Sequence, residues 1–168
     1  MSERTREKRL TMTILMTPDK ANFSGNVHGG EMMKMLDEVA YTCASRYCGN
    51  YVVTLSVDQI LFKQPVHIGE LVTFLAQVNF TGRTSLEVGV KVVAEDIRGL
   101  SCRHTNSCFF TMVALDENGK PTEVPQLQHA TDEERRRFEA ARLRREFRRE
   151  VQQRREAIRS QSREATTE

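Results

Sequence analysis

The sequence has no run of apolar residues near the roughly 20 that a bilayer span needs, so no membrane helix is expected. Its first nine residues, Met1 to Arg9, are polar and charged with no apolar stretch behind them, and no secretory leader is read there. Cysteine is sparse: Cys43, Cys48, Cys102 and Cys108 make no CxxC pair and no Cys/His ligand spacing. A disulfide framework and a zinc site are therefore not expected, and reduced thiols of a cytosolic protein are. The four histidines, His28, His67, His104 and His129, are scattered and add no metal set. Internal repeats are lacking too.

Charge of one sign is also missing from most of the chain. Residues 132–168 hold 12 arginines and 9 acids, whereas the remainder holds 13 basic and 14 acidic residues. A neutral body argues against a nucleic-acid-binding domain, since such domains carry a basic face. With 168 residues, 39% of them apolar and 29% charged, the chain has room for one compact domain and an appendage.

Hydrophobic spacing gives the elements. Arg9 to Thr17 reads as a strand ended by Pro18, and residues 19–25 have the Asp, Asn, Ser and Gly of a loop. From Gly30, Met32, Leu36, Val39, Ala40, Cys43 and Tyr47 recur at three- and four-residue steps. This predicts a helix of about 18 residues, apolar around most of its girth and hence buried, closed by Gly49-Asn50. Beyond it the period falls to two. Val53, Leu55 and Val57 alternate with polar residues, as do residues 72–80, 86–92 and 108–114, with turns at Gly82, near Gly99 and at Asn118-Gly119. One strand, one long helix and then four strands predict an α+β domain whose antiparallel sheet of about five or six strands wraps the helix, the hotdog arrangement. This domain is expected over residues 9–125. Thr131 followed by Asp132, Glu133 and Glu134 is a capped start, and a separate Arg-rich helix is expected over 131–164, with a sparse apolar stripe of Phe138, Leu143, Phe147, Val151 and Ile158.

The chemistry concentrates in Gly25-Asn26-Val27-His28-Gly29-Gly30, with Asp37 seven residues after Gly30. Amides at a helix N-terminus stabilise an oxyanion, and glycine lets a substrate approach them closely. A carboxylate within a largely apolar helix suits acid–base or nucleophilic work, although ion pairs also place carboxylates there. Seven residues is nearly two turns, so Asp37 stands on the face of Gly30.

The run NxHGGxxMxxLDEVA resembles the hotdog acyl-CoA thioesterase family, which includes bacterial YciA-type hydrolases and a two-domain acyl-CoA hydrolase. The likeness continues through Phe62-Lys63-Gln64-Pro65, Ile68-Gly69-Glu70 and Thr81-Gly82-Arg83-Thr84-Ser85, roughly over residues 10–125. It implies hydrolysis of acyl-CoA to free acid and CoA, with Asp37 as general base or nucleophile. Asn26 would position the water or carbonyl, and the amide of Gly30 or Gly29 would bind the oxyanion. His28 would line the pocket, and Lys63 with Gly82, Arg83, Thr84 and Ser85 would meet CoA. The resemblance further implies no cofactor and no metal, a cytoplasmic setting in lipid metabolism, and self-association into dimers that share sites and into a trimer of dimers. Neither a nucleic acid nor a membrane is an expected partner. A non-catalytic CoA-sensing module and a hotdog dehydratase are the alternatives.

Overall fold

A computed structural model of the chain describes residues 6–164, with side chains through Ser160. The described chain falls into two compact units that part between Leu127 and Gln128.

The first unit opens with strand β1 (Arg9–Leu15), a single 3-10 turn (Pro18–Lys20) and helix α1 (Gly29–Cys48). Strands β2 (Tyr51–Val57), β3 (Leu71–Thr81), β4 (Ser85–Asp96) and β5 (Ser101–Leu115) follow. They form one five-stranded antiparallel sheet in the order β1-β3-β4-β5-β2, with β1 and β2 at its edges. This is the expected hotdog arrangement. The 20-residue α1 begins on His28 and stops at Gly49, whose φ of 76° a side chain would strain.

One face of α1 carries Met32, Met35, Leu36, Val39, Ala40, Cys43, Ala44 and Tyr47 into the core. The sheet meets it with Val72, Phe74 and Val78 of β3, Leu86, Val88 and Val90 of β4, and Phe110 and Met112 of β5. These alternate residues stand opposite one another, Phe74 by Val92, Val88 by Phe110 and Leu86 by Met112, so the two-residue period of each strand becomes one continuous apolar surface.

Two local expectations give way. The helix is not buried around its girth: Met33 and Tyr41 are exposed, and Asp37 between them is half-buried. In β2 the apolar alternation has the right period but the wrong face. Val52 is buried, whereas Leu55 is 67% exposed and Val57 is exposed. The cause is position. Among the described residues β2 is an edge strand that pairs with β5 alone, and a bulge between Thr54 and Ser56 shifts its register.

The second unit is helix α2 (Asp132–Glu164) with the residues leading into it. Thr131 Oγ1 accepts from the Glu134 amide at 3.2 Å, and Glu134 reaches back to the Ala130 amide at 2.8 Å. A run of (i, i+3) and (i, i+4) Arg–Glu pairs follows, including Arg137–Glu133, Arg142–Glu139, Arg142–Glu146 and Arg154–Glu150.

Candidate active site

The loop before α1 is built by asparagine. Asn22 Oδ1 accepts from the amides of Ser24 (2.9 Å) and Asn26 (3.1 Å), and the Asn22 amide donates to Asn26 O (2.7 Å). Such local side-chain bonds give a loop a fixed shape without secondary structure. They also fix the Asn22 amide group, because its oxygen is committed to the loop. Asn26 faces differently. Its Oδ1 lies 2.8 Å from His67 Nδ1, and Val27 N donates to Val66 O at 2.8 Å.

Residues 65–70 are in turn locked from β5. Arg103 forks onto Glu70 at 2.5 and 2.8 Å and donates to Pro65 O at 2.8 Å, while Glu70 Oε2 accepts from the His67 amide. Burial works to raise the Glu70 pKa, but the Arg103 hydrogen bonds and charge and the His67 amide outweigh it, so the carboxyl sits below its ordinary value. A chain of contacts thus runs from Arg103 through Glu70 and His67 to the Asn22–Asn26 loop.

At the helix start, His28 Nδ1 accepts from the Gly30 amide at 2.9 Å. The ring nitrogen that accepts carries no proton. Gly30 or Gly29 was expected to offer the oxyanion amide, and the N–H of Gly30 is occupied by the cap. Gly29, beside it, is exposed, and a Cβ there would meet nothing within 4 Å. The chain's own packing does not demand glycine at that position, which leaves room for something outside the chain.

Asp37 lies two helical turns further on, about 10 Å along the axis. Its Oδ1 accepts from Thr54 Oγ1 of β2 at 2.6 Å. Thr54 was read from sequence only as the polar partner in an alternating strand. It is the residue through which the edge strand grips the acid. Around the pair lie exposed apolar side chains, Met33 and Tyr41 on α1 and Tyr51 and Leu55 on β2, with the Tyr41 and Tyr51 rings edge-to-face at 6.0 Å.

The residues expected to meet CoA occupy two places. Gly82, Arg83, Thr84 and Ser85 form the β3–β4 turn, closed by Gly82 N to Ser85 O at 2.7 Å and pinned by Val124 N to Arg83 O at 2.9 Å. Lys63 donates its amide to Thr105 O. Ser85 faces Val113, whereas Thr105 lies near the level of Val92, seven residues along β4. At about 3.3 Å per residue, Lys63 and the turn are roughly 23 Å apart within one chain.

Comparisons with known proteins decide the family. A thioesterase superfamily model matches residues 24–101. The chain is 52% identical over 140 residues to Protein VdlD of Helicobacter pylori, covering 83% of this chain and 80% of that one. A crystal structure of an apo-hexameric acyl-CoA thioesterase superposes with a TM-score of 0.82 at 37% identity, over 85% of this chain and 92% of that one. The chain belongs to the hotdog acyl-CoA thioesterase family. It is a thioesterase by that membership. The cytosolic acyl coenzyme A thioester hydrolase of Rattus norvegicus is 40% identical over 127 residues, 74% of this thioesterase and 33% of the rat protein.

An acyl-CoA hydrolase from Staphylococcus aureus, solved with butyryl coenzyme A and coenzyme A, has a TM-score of 0.79 at 29% identity, over 86% of this chain and 88% of that one. Three further structures of that hydrolase place alanine at an asparagine, an aspartate 15 positions later and a threonine 17 positions after the aspartate. In the present thioesterase, Asp37 follows Asn22 by 15 positions and precedes Thr54 by 17.

Proposed function

We propose that this thioesterase hydrolyses acyl-CoA to a free carboxylic acid and CoA, with Asp37 as general base, Thr54 as its orienting donor and Asn22 as the amide that meets the thioester carbonyl. The observation that carries the reading is the 2.6 Å bond from Thr54 to Asp37. It joins by geometry two residues whose spacing, with Asn22, recurs in the alanine variants of the staphylococcal hydrolase.

The chemistry follows from the atoms. Thr54 holds one carboxylate oxygen, and the other takes a proton from water as its oxygen bonds to the carbonyl carbon. The oxyanion is held by the Gly29 amide and the Asn22 side-chain amide. The C–S bond then breaks, and the proton passes from Asp37 to the thiolate, giving CoA and the acid. Asn22 takes the part that the sequence pattern gave to Asn26, because Asn22 and not Asn26 has the spacing to Asp37 and Thr54 found among the substituted residues of the staphylococcal hydrolase. Arg83, Thr84 and Ser85 of one turn, with Lys63 of another copy, hold the phosphates of CoA, which Arg and Lys suit chemically.

Two copies complete each site. About 12 Å of helix separates the Asp37 level from Gly29 in one chain, and a single thioester carbon needs both groups within bonding reach. The outer edge of β2, unpaired among the described residues, and the apolar patch of Met33, Tyr41, Tyr51 and Leu55 support cover by a second copy, in assemblies of the kind that the hexameric relative's name describes. A cytoplasmic setting is supported by the rat relative's name.

The test is thiol release from acyl-CoA across chain lengths. Asp37→Asn is expected to lower kcat by about 10²–10⁴, as loss of a general base does. Thr54→Val loses less, about tenfold, and Thr54→Ser restores turnover because it keeps the hydroxyl. Full turnover in Asp37→Asn would remove the carboxylate from the mechanism.

A further inference from the structure

Helix α2 carries an apolar row that nothing in the thioesterase chemistry uses. Ala140, Leu143, Phe147, Val151 and Ile158 recur at steps of three, four, four and seven residues. At about 100° per residue they share an arc of about 80°. Leu143, Phe147 and Ile158 are 59%, 66% and 63% exposed, far more than isolated large apolar side chains on a charged helix require.

The two borders of the row differ in sign. Glu139, Glu146 and Glu150 lie along one side, and Arg144, Arg148 and Arg155 lie along the other. Glu139 and Glu146 are held by Arg142, and Glu150 by Arg154 at 2.6 Å. A helix lying on an anionic lipid surface wants basic residues at both borders, and the acidic side would be repelled.

We propose that this row is the seam of a parallel helix pair made with α2 of a second copy of the chain. In a parallel pair each helix sets one border against the opposite border of its neighbour, so acids face arginines along both sides of the seam. An antiparallel pair would set acid against acid and arginine against arginine. The sign pattern therefore selects orientation as well as partner. Arg154 falls within the same arc and is the seam's one charged residue. A single polar residue in such a seam fixes register and lowers affinity, which suits a contact made between chains already gathered by another interface. From Ala140 to Ile158 is eighteen residues, five turns of 3.6, so over this length the seam runs nearly straight rather than wound to the left. The proposal stands apart from the active-site reading, since it uses no residue of that site.

The experiment uses the full chain with Cys102, the exposed cysteine, replaced by serine. Ile158→Cys is expected to form a disulfide between copies under mild oxidant, and Ala140→Cys is expected to do the same. Gln152→Cys, on the far side of α2, serves as a collision control and should stay monomeric in denaturing gels. Adding Leu143→Glu and Phe147→Glu to Ile158→Cys should reduce the cross-link at least tenfold. If cysteines at 140 and 158 link only to each other in a mixture, the pair is antiparallel and the proposal fails. It fails equally if Ile158→Cys never links, or links no better than the control. Sedimentation of uncross-linked protein with phosphatidylglycerol vesicles would instead make lipid the occupant.

Discussion

At the scale of single residues, the account turns on side chains whose surroundings decide their chemistry. Asp37 was legible as a carboxylate interrupting an apolar helix. Thr54 was not, because a threonine in an alternating strand is ordinary, and only the fold brings it within 2.6 Å of the acid. The sequence pattern pointed to Asn26 and passed over Asn22 for a related reason: both sit in one polar loop, and sequence cannot tell which side chain shapes that loop and which faces His67. The cysteines give a sharp prediction. Burial pushes the Cys43 and Cys108 thiols up to about 12 and raises Cys48, while Cys102 is exposed. A thiolate is the reactive form. Native protein at neutral pH should therefore label at Cys102 alone, and all four cysteines should label in denaturant. Rapid native labelling of Cys43 or Cys108 would contradict the packing described. The same count sets the background for any thiol-release assay.

At the scale of elements, α1 and the three inner strands were readable because each buries a face against a neighbour, and burial writes a period into the sequence. Edge strand β2 misled the reading, since Leu55 and Val57 point away from the core of their own chain while Val52 enters it. Leu36 is wholly buried beneath the sheet, and Leu36→Ala should destabilise by about 2–5 kcal/mol in chemical denaturation. The turn that supports the Asn22–Asn26 loop depends on Glu70, a carboxyl whose pKa is lowered in the folded state. Between the two pKa values the unfolded chain binds more protons, so stability rises with pH there. The contribution of Glu70 is present above its unfolded pKa, about 4.3, and is lost as pH falls through the lower folded value. Glu70→Gln should therefore flatten the acid limb of the stability curve, measured by denaturant midpoints from pH 6 to pH 3. An unchanged acid limb would mean that the Arg103–Glu70 pair does not hold the turn.

At the scale of the whole molecule, the long C-terminal helix was legible from its cap and its acidic first turn ahead of an Arg-rich run, and the family from an ordered set of motifs. What sequence cannot carry is how many chains make one site, because that is a matter of distances between elements. The proposed site draws Asp37 from one copy and Asn22 from another. Asp37→Asn and Asn22→Ala chains, each inactive alone, are made together with different affinity tags and the mixed assemblies isolated. If sites are shared between two copies, one site of each mixed pair has both native residues, so an isolated mixed dimer regains about half of wild-type acyl-CoA turnover and a larger assembly of randomly paired chains about a quarter. Mixed assemblies as inactive as their parents, or a parent that turns over substrate by itself, would contradict the account.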